Sequence, residues 1–211
     1  TTAMSDVACI VLAAGLSRRM GEVNKLLVQI GDDILLSRVV TACAAVSNHP
    51  VTVVTGHQGA AVTYALGNAP VNFVYNSSFE EGQMTSVDAG LRGAPEAKNY
   101  LVALGDQPMI TPDCLIALLT AHHANADGRI TVPIVDGTRG NPIVLPAAQR
   151  ALMLADPFNL GCRKLTRNSP ELVYQFTTAN PNFIADIDTP EDLALARSNR
   201  LSQRSVSHQK D

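Results

Sequence analysis

Short apolar, β-branched runs alternate with segments of helical periodicity from one end of this chain to the other. The runs at 8–12, 51–55, 71–75, 100–104, 130–134, 172–177 and 183–187 read as strands. Helical spacing of apolar residues covers 34–46, 60–66, 85–92, 112–124, 146–154, 163–168 and 190–200. Two helix starts are marked by their capping chemistry. Thr111-Pro112-Asp113 and Thr189-Pro190-Glu191-Asp192 each supply a hydroxyl cap, a proline at the first helical position and an early acid. Alternation of this kind predicts an α/β fold in three layers, a mostly parallel sheet with helices on both faces.

No Pro/Gly/Ser linker, repeat or low-complexity tract interrupts the pattern, so residues 4–200 are expected to form one domain. Residues 201–211 are polar, lack periodicity and are expected to be a disordered tail. Thr1 to Ala3 precede Met4 and are read as an appended leader outside the fold. The 211 residues suffice for one sizeable core, and 46% hydrophobic against 17% charged content suits a globular chain. A net charge of −3 argues against a dominant basic face, so nucleic acid is not an expected partner. No apolar run reaches the ~18 residues of a membrane span, and no signal-peptide pattern is visible. The expectation is a cytoplasmic protein with no membrane partner. Cys9, Cys43, Cys114 and Cys162 lie far apart with no C-x-x-C pair, which points to reduced, mostly buried thiols rather than zinc or redox motifs.

In such sheets ligands bind beyond the carboxyl ends of the strands, and three polar motifs each follow an expected strand. The first is I-V-L-A-A-G-L-S-R-R-M-G-E-V-N-K, from Ile10 to Lys25. Its strand breaks at Gly15 into a loop carrying Ser17, Arg18, Arg19 and Lys25. Small residues let backbone N–H groups approach a polyphosphate, and the cations then face its oxygens. Arg19 and Lys25 are expected on the β- and γ-phosphates, with Arg18 as a third cation. Neither G-x-x-x-x-G-K-[ST] nor G-x-G-x-x-G occurs.

The second motif, Leu104-Gly105-Asp106-Gln107-Pro108, puts a carboxylate at a strand end, where it can hold Mg²⁺ against a triphosphate. Gly, Asp and Pro also make ordinary turns. The third, Asp186-Ile187-Asp188-Thr189-Pro190-Glu191-Asp192, sets Asp186 and Asp188 on one side of the expected strand. Asp188 is the expected second metal ligand opposite Asp106, while Thr189 and the acids fit a helix cap without any metal. A fourth polar stretch, 76–87, can close over a nucleotide base, and a capped helix start explains it equally. The turn 137–142 reads as a hairpin that demands no chemistry. His57, His122 and His123 read as solvated or capping residues, and no Ser/His/Asp arrangement supports nucleophilic catalysis.

The segments LAAGLSRRMGEVNKLL, NSSFEEGQMTSVDAGL, LGDQP, TRGNPIVL, GCRKL and DIDTPEDL together resemble the MobA-like NTP transferase family. The likeness is greatest to its molybdenum cofactor cytidylyltransferase branch and spans residue 8 to about 195. It implies a Rossmann-like fold of the nucleotide-diphospho-sugar transferase kind and dependence on Mg²⁺. It also implies transfer of CMP from CTP to the phosphate of molybdopterin, with release of pyrophosphate. Carried over by position, Leu12, Ala13, Ala14 and Gly15 would contact base and ribose, with Ser17 and Arg18 beside the nucleotide. Arg19 and Lys25 would hold the triphosphate and act in catalysis with Asp106. Gly82 and Ser86 would help seat the base, and Asp106 and Asp188 would bind the metal.

Ala14, and Asn24 before Lys25, stand where the guanylyl branch has glycine and aspartate, which favours CTP over GTP. Three alternatives remain open. They are guanylyl transfer from GTP, cytidylyl transfer to another acceptor such as methylerythritol phosphate, and a non-catalytic protein delivering cofactor to an apo molybdenum hydroxylase.

Overall fold

The structure is a computed structural model and describes residues 6–16, 20–21, 23–155 and 167–207. Strand β1 (Val7–Ala13) is followed by a small antiparallel hairpin, β2 (Gln29–Ile30) and β3 (Asp33–Ile34). Then come β4 (Val51–Thr55), β5 (Val71–Tyr75), β6 (Asn99–Leu104), β7 (Ile130–Val135), β8 (Thr138–Arg139), β9 (Ile143–Pro146) and β10 (Val173–Thr177). They form an eight-stranded sheet in the order β10-β7-β9-β6-β1-β4-β5, with β8 beside β7. β5, β4, β1 and β6 run parallel, as do β7 and β10, while β9 is antiparallel to β6 and β7.

Helices α1 (Leu35–Ala44), α2 (Gly59–Leu66), α3 (Gln83–Gly93), α4 (Pro112–Asn125), α5 (Ala147–Ala155) and α6 (Pro190–Ser207) cover both faces. The expected three-layer, mostly parallel α/β fold is therefore present. β1 shows why it holds together. Its seven residues are all buried, and its side chains alternate between two cores. Val7, Cys9, Val11 and Ala13 pack with residues of α1, α2, α4 and α6, whereas Ala8, Ile10 and Leu12 pack with residues of α3 and α5. Cys9, Cys43 and Cys114 are buried free thiols. Among the described residues no helix is long and apolar enough to cross a membrane.

The structure departs from the sequence expectations at some elements. Residues 183–187 are not a strand. Pro181 opens a short 3-10 turn, Asn180 caps it by accepting from the Asn182 N–H at 3.0 Å, and Phe183 turns into the core instead of pairing. β9 follows the turn 137–142, where the hairpin reading implies a strand-like run, although its four residues are too few to show a period of their own. The last helix runs on to Ser207, beyond the expected end at residue 200 and into the stretch read as a tail. No proline or glycine interrupts it, and a helix nucleated on packed turns propagates through such a sequence. The expected helix 163–168 lies, up to residue 166, outside the described residues, as does Cys162.

The chain leaves β1 for β4 on one side, and β6 returns on the other side of β1. That reversal opens a crevice at the carboxyl ends of β1 and β6.

His122, on α4, is buried rather than solvated and ties that helix to two strands. Its ring reaches Thr131 Oγ1 at 2.6 Å through Nδ1 and Asn99 Oδ1 at 2.9 Å through Nε2. The amide oxygen can only accept, so Nε2 donates, and in the neutral ring Nδ1 accepts from the threonine hydroxyl. Burial, and then the nearby His123, lower its pKa from 6.5 to about 4. The unfolded chain therefore takes up a proton at higher pH than the folded one. The stability contributed is complete above pH 6.5 and is lost as pH falls from 6.5 to about 4. Denaturant unfolding at pH 7.5 and 4.5 should show an acid loss of about 2–3 kcal/mol from this group, and His122→Gln should remove that increment.

Candidate active site

The crevice is built from backbone outward. The Gly105 N–H donates to the Leu12 carbonyl at 2.9 Å, which seals the ends of β1 and β6 together. A Cβ on Gly105 would stand 2.8 Å from that same carbonyl oxygen, so only glycine allows the approach. The next residue, Asp106, then projects from the end of β6. Opposite it, Lys25 opens a short 3-10 turn, Lys25–Leu27, which is capped by buried Asn24 accepting from the Leu26 N–H at 3.1 Å. The third wall is 186–188. The Ile187 side chain enters the core, and its N–H donates to the Asp106 carbonyl at 2.9 Å.

These three segments meet in one ion bridge. Lys25 Nζ donates to Asp106 Oδ2 at 2.9 Å and to Asp188 Oδ1 at 2.6 Å. Asp186 joins them, because one oxygen from each of Asp106, Asp186 and Asp188 lies within 4.8 Å of the others. Asp106 Oδ1 is buried and has no hydrogen-bond partner among the described residues. Burial acts to lower the pKa of the Lys25 ammonium, but the charges and hydrogen bonds of Asp106 and Asp188 outweigh it, and the net shift is upward. Asp186 is pushed up, first by its partial enclosure and then by the negative charges of Asp106 and Asp188.

The helix cap and the acidic site are served by different residues. Asp192 Oδ2 accepts from the N–H groups of Asp188 and Thr189 at 3.0 and 2.9 Å, and Thr189 Oγ1 accepts from the Asp192 N–H at 3.2 Å. Those backbone bonds hold the Asp192 carboxyl below the usual carboxylate range. The Asp188 carboxylate is thereby left to face Lys25.

Two cavities adjoin the bridge. One, of about 360 Å³, is lined by Leu12, Ala14, Gly15, Lys25, Gly82, Ser86 and Asp106 among others. Ala13 does not line it, since strand alternation turns Ala13 into the opposite core. The other, of about 660 Å³, runs past Met84, Val87, Arg139, Asn141, Asp186 and Asp188. Gln83, Leu104 and Asp106 border both.

The wall of the smaller cavity is the loop into α3. Buried Asn76 organises it, donating to Thr85 Oγ1 at 2.8 Å and Ser86 Oγ at 2.9 Å while accepting from the Ser78 N–H at 3.0 Å. No side chain caps α3 itself; its N-terminal neighbour is Gly82 at φ 121°, a conformation open to glycine.

The structure thus gathers Leu12, Ala14, Gly15, Lys25, Gly82, Ser86 and Asp106 at one cavity, with Asp188 across the bridge. Ser17, Arg18 and Arg19 lie outside the described residues. The sequence places Asp186 on the same side as Asp188 without making it a ligand, and Asn76, at the head of the polar stretch 76–87, carries no role of its own there. The turn read as chemically silent contributes Arg139, Gly140 and Asn141 to the larger cavity. Only its first part is a hairpin: Val135 pairs with Thr138 around Asp136 and Gly137, both at positive φ.

The MobA-like NTP transferase domain matches residues 9–172. The chain belongs to this family. It is an enzyme of the nucleotidyltransferase class. It is 28% identical over 197 residues to the molybdenum cofactor cytidylyltransferase of Escherichia coli (strain K12), covering 92% of this chain and 97% of that protein. It is 27% identical, over 90% of this chain and 97% of the relative, to the nicotine blue oxidoreductase of Paenarthrobacter nicotinovorans. In fold it matches a nucleotidyl transferase from Methanothermobacter thermautotroptrophicus with a TM-score of 0.78 and 24% identity, covering 94% of this chain and 99% of that one.

Asn76→Ala removes the donor to the Ser86 hydroxyl and strands the Ser78 N–H, while the Thr85 hydroxyl keeps the carbonyls of Ser78 and Gly82. It should cost about 2 kcal/mol in denaturant unfolding and increase proteolytic cleavage within 77–84, whereas Ser77→Ala, at an exposed position, should do neither.

Proposed function

We propose that this nucleotidyltransferase moves CMP from CTP to the phosphate of molybdopterin and releases pyrophosphate. The observation that carries the reading is the Lys25–Asp106–Asp188 bridge at the border of two cavities. In-line transfer needs the donor α-phosphorus between a nucleotide pocket and an acceptor pocket, with cations on the oxygens that gain charge. The smaller cavity suits the nucleotide. Its small residues Ala14, Gly15 and Gly82 leave backbone close to a base, and Ser86 offers a hydroxyl. The Ala14 methyl takes space that a glycine would leave to a purine, which favours a pyrimidine. The larger cavity suits the acceptor, with Met84, Val87 and Ile143 as an apolar wall and Arg139 as a cation for a phosphate.

Three carboxylates with one orphaned, buried oxygen form a hard-oxygen donor set of the kind that holds Mg²⁺. Asp106 and Asp188, with Asp186 beside them, would hold it, and when bound it would neutralise charge on the phosphate oxygens. Lys25 and Arg19 then donate to the departing pyrophosphate, and Arg18 and Ser17 border the triphosphate. An acceptor phosphate is already ionised near neutral pH, so no protein nucleophile or base is required. A protein that merely delivers cofactor to a molybdenum hydroxylase would not need this cluster.

Pyrophosphate release should be fastest with CTP and molybdopterin, slower with GTP, and slowest with methylerythritol phosphate as acceptor. Asp106→Asn should lower the rate on the order of 10²-fold or more with an unchanged melting temperature. Near-wild-type turnover in that variant, or preference for another acceptor, would refute the assignment.

A further inference from the structure

We infer that Lys25 occupies the place of the divalent cation between visits of the nucleotide, so that the free enzyme resists metal and accepts it only together with a triphosphate. The inference rests on the metal-dependent reading above. Its basis is where the ammonium sits. Nζ lies 2.9 Å from Asp106 Oδ2 and 2.6 Å from Asp188 Oδ1, on the two carboxylates that would ligate the metal. Both contacts are half-enclosed, with the Lys25 side chain 14% exposed and Asp106 and Asp188 20% and 35% exposed. Water therefore screens them less than it screens a surface pair.

A divalent ion entering among Asp106, Asp186 and Asp188 must either displace the ammonium or stand against it as a like charge. Both routes weaken metal binding to the free protein. The lysine stem is long and flexible, and the smaller cavity that it lines is bordered also by Gly15 and Gly82. A triphosphate lodged there offers the ammonium another set of oxygens. Once Lys25 turns to it, the carboxylates are released to the metal. Lys25 in this role is a placeholder that couples the two arrivals, distinct from its contact with the leaving group.

Mn²⁺ binding, read from the electron paramagnetic resonance signal of the free ion, tests this without any turnover. In the absence of nucleotide, Lys25→Met should bind Mn²⁺ at least about tenfold more tightly than the wild type, because the methionine keeps the volume and removes the charge. Lys25→Arg should stay as weak as the wild type. A second readout needs no variant. Acetylation of the intact protein, mapped by mass spectrometry, should label Lys25 more strongly once Mn²⁺ is driven to saturation, with Lys98 as the internal reference. Should Lys25→Met fail to fold, this labelling decides. Equal or weaker Mn²⁺ binding by a folded Lys25→Met, or unchanged Lys25 labelling at saturation, would overturn the placeholder role and leave the metal-dependent reading standing. Absence of Mn²⁺ uptake by either protein, with or without CTP, would overturn both.

Discussion

Lys25 reaches 81 residues along the chain to Asp106 and 163 residues to Asp188, and the crevice is organised around those two contacts. Three carboxylates within 4.8 Å of one another repel, and a cation among them relieves that repulsion. The ammonium supplies that charge. None of the four groups is positioned by the charges alone, however. Asn24 caps the turn that begins at Lys25, Gly105 lets β6 close on the Leu12 carbonyl, and the Ile187 N–H fastens the acidic segment to Asp106. Uncharged hydrogen bonds and a missing Cβ thus set the geometry in which the electrostatics operate.

The same division of labour runs through the sheet. β1 serves two cores at once, and Leu12 near its end reaches the smaller cavity without a change of pattern. Leu12 and Ala14 face that cavity because they lie on the α3 side of the strand, and Ala13 is excluded by the same parity. The cavity wall contributed by the α3 loop depends on one buried amide, Asn76, which ties the loop to the hydroxyls of the first turn of α3. On the other side, the turn after β7 brings Arg139 and Asn141 to the larger cavity, with the Asn141 N–H donating to the Phe183 carbonyl at 2.9 Å. Family membership and this arrangement agree on the class of chemistry. Relatives at 27–28% identity carry names as different as cytidylyltransferase and oxidoreductase, so the choice of acceptor and base is left to the proposed function.

Much of the site was legible in the chain because its residues sit in local motifs with their own turn chemistry. The loop after β1, the Gly105-Asp106 corner and the Asp-x-Asp segment each announce themselves by small residues and acids at a strand end or helix start. Asp186 and Asp188 do face the same way, although no strand holds them; a buried Ile187 between them enforces the alternation. The competition between capping and ligation at Asp188 could not be resolved from spacing, because both uses need an acid near the first turn. The structure assigns the cap to Asp192, four residues on. Asn76 escaped notice because a lone asparagine after a strand has no signature until its partners nine and ten residues later fold back on it.

From the order of residues alone came the layered α/β fold, the strands β4 and β5 to the residue, and the three segments that carry charge. Those are consequences of short-range physics: apolar periodicity, capping and turn preference act over a few neighbours. Tertiary structure alone decided that Lys25 bridges Asp106 and Asp188, that Phe183 is core instead of strand, and that the hairpin after β7 lines a second cavity. Each of these depends on contacts between segments far apart in sequence, whose strengths follow from burial and from which strand lies beside which. No local pattern encodes that adjacency.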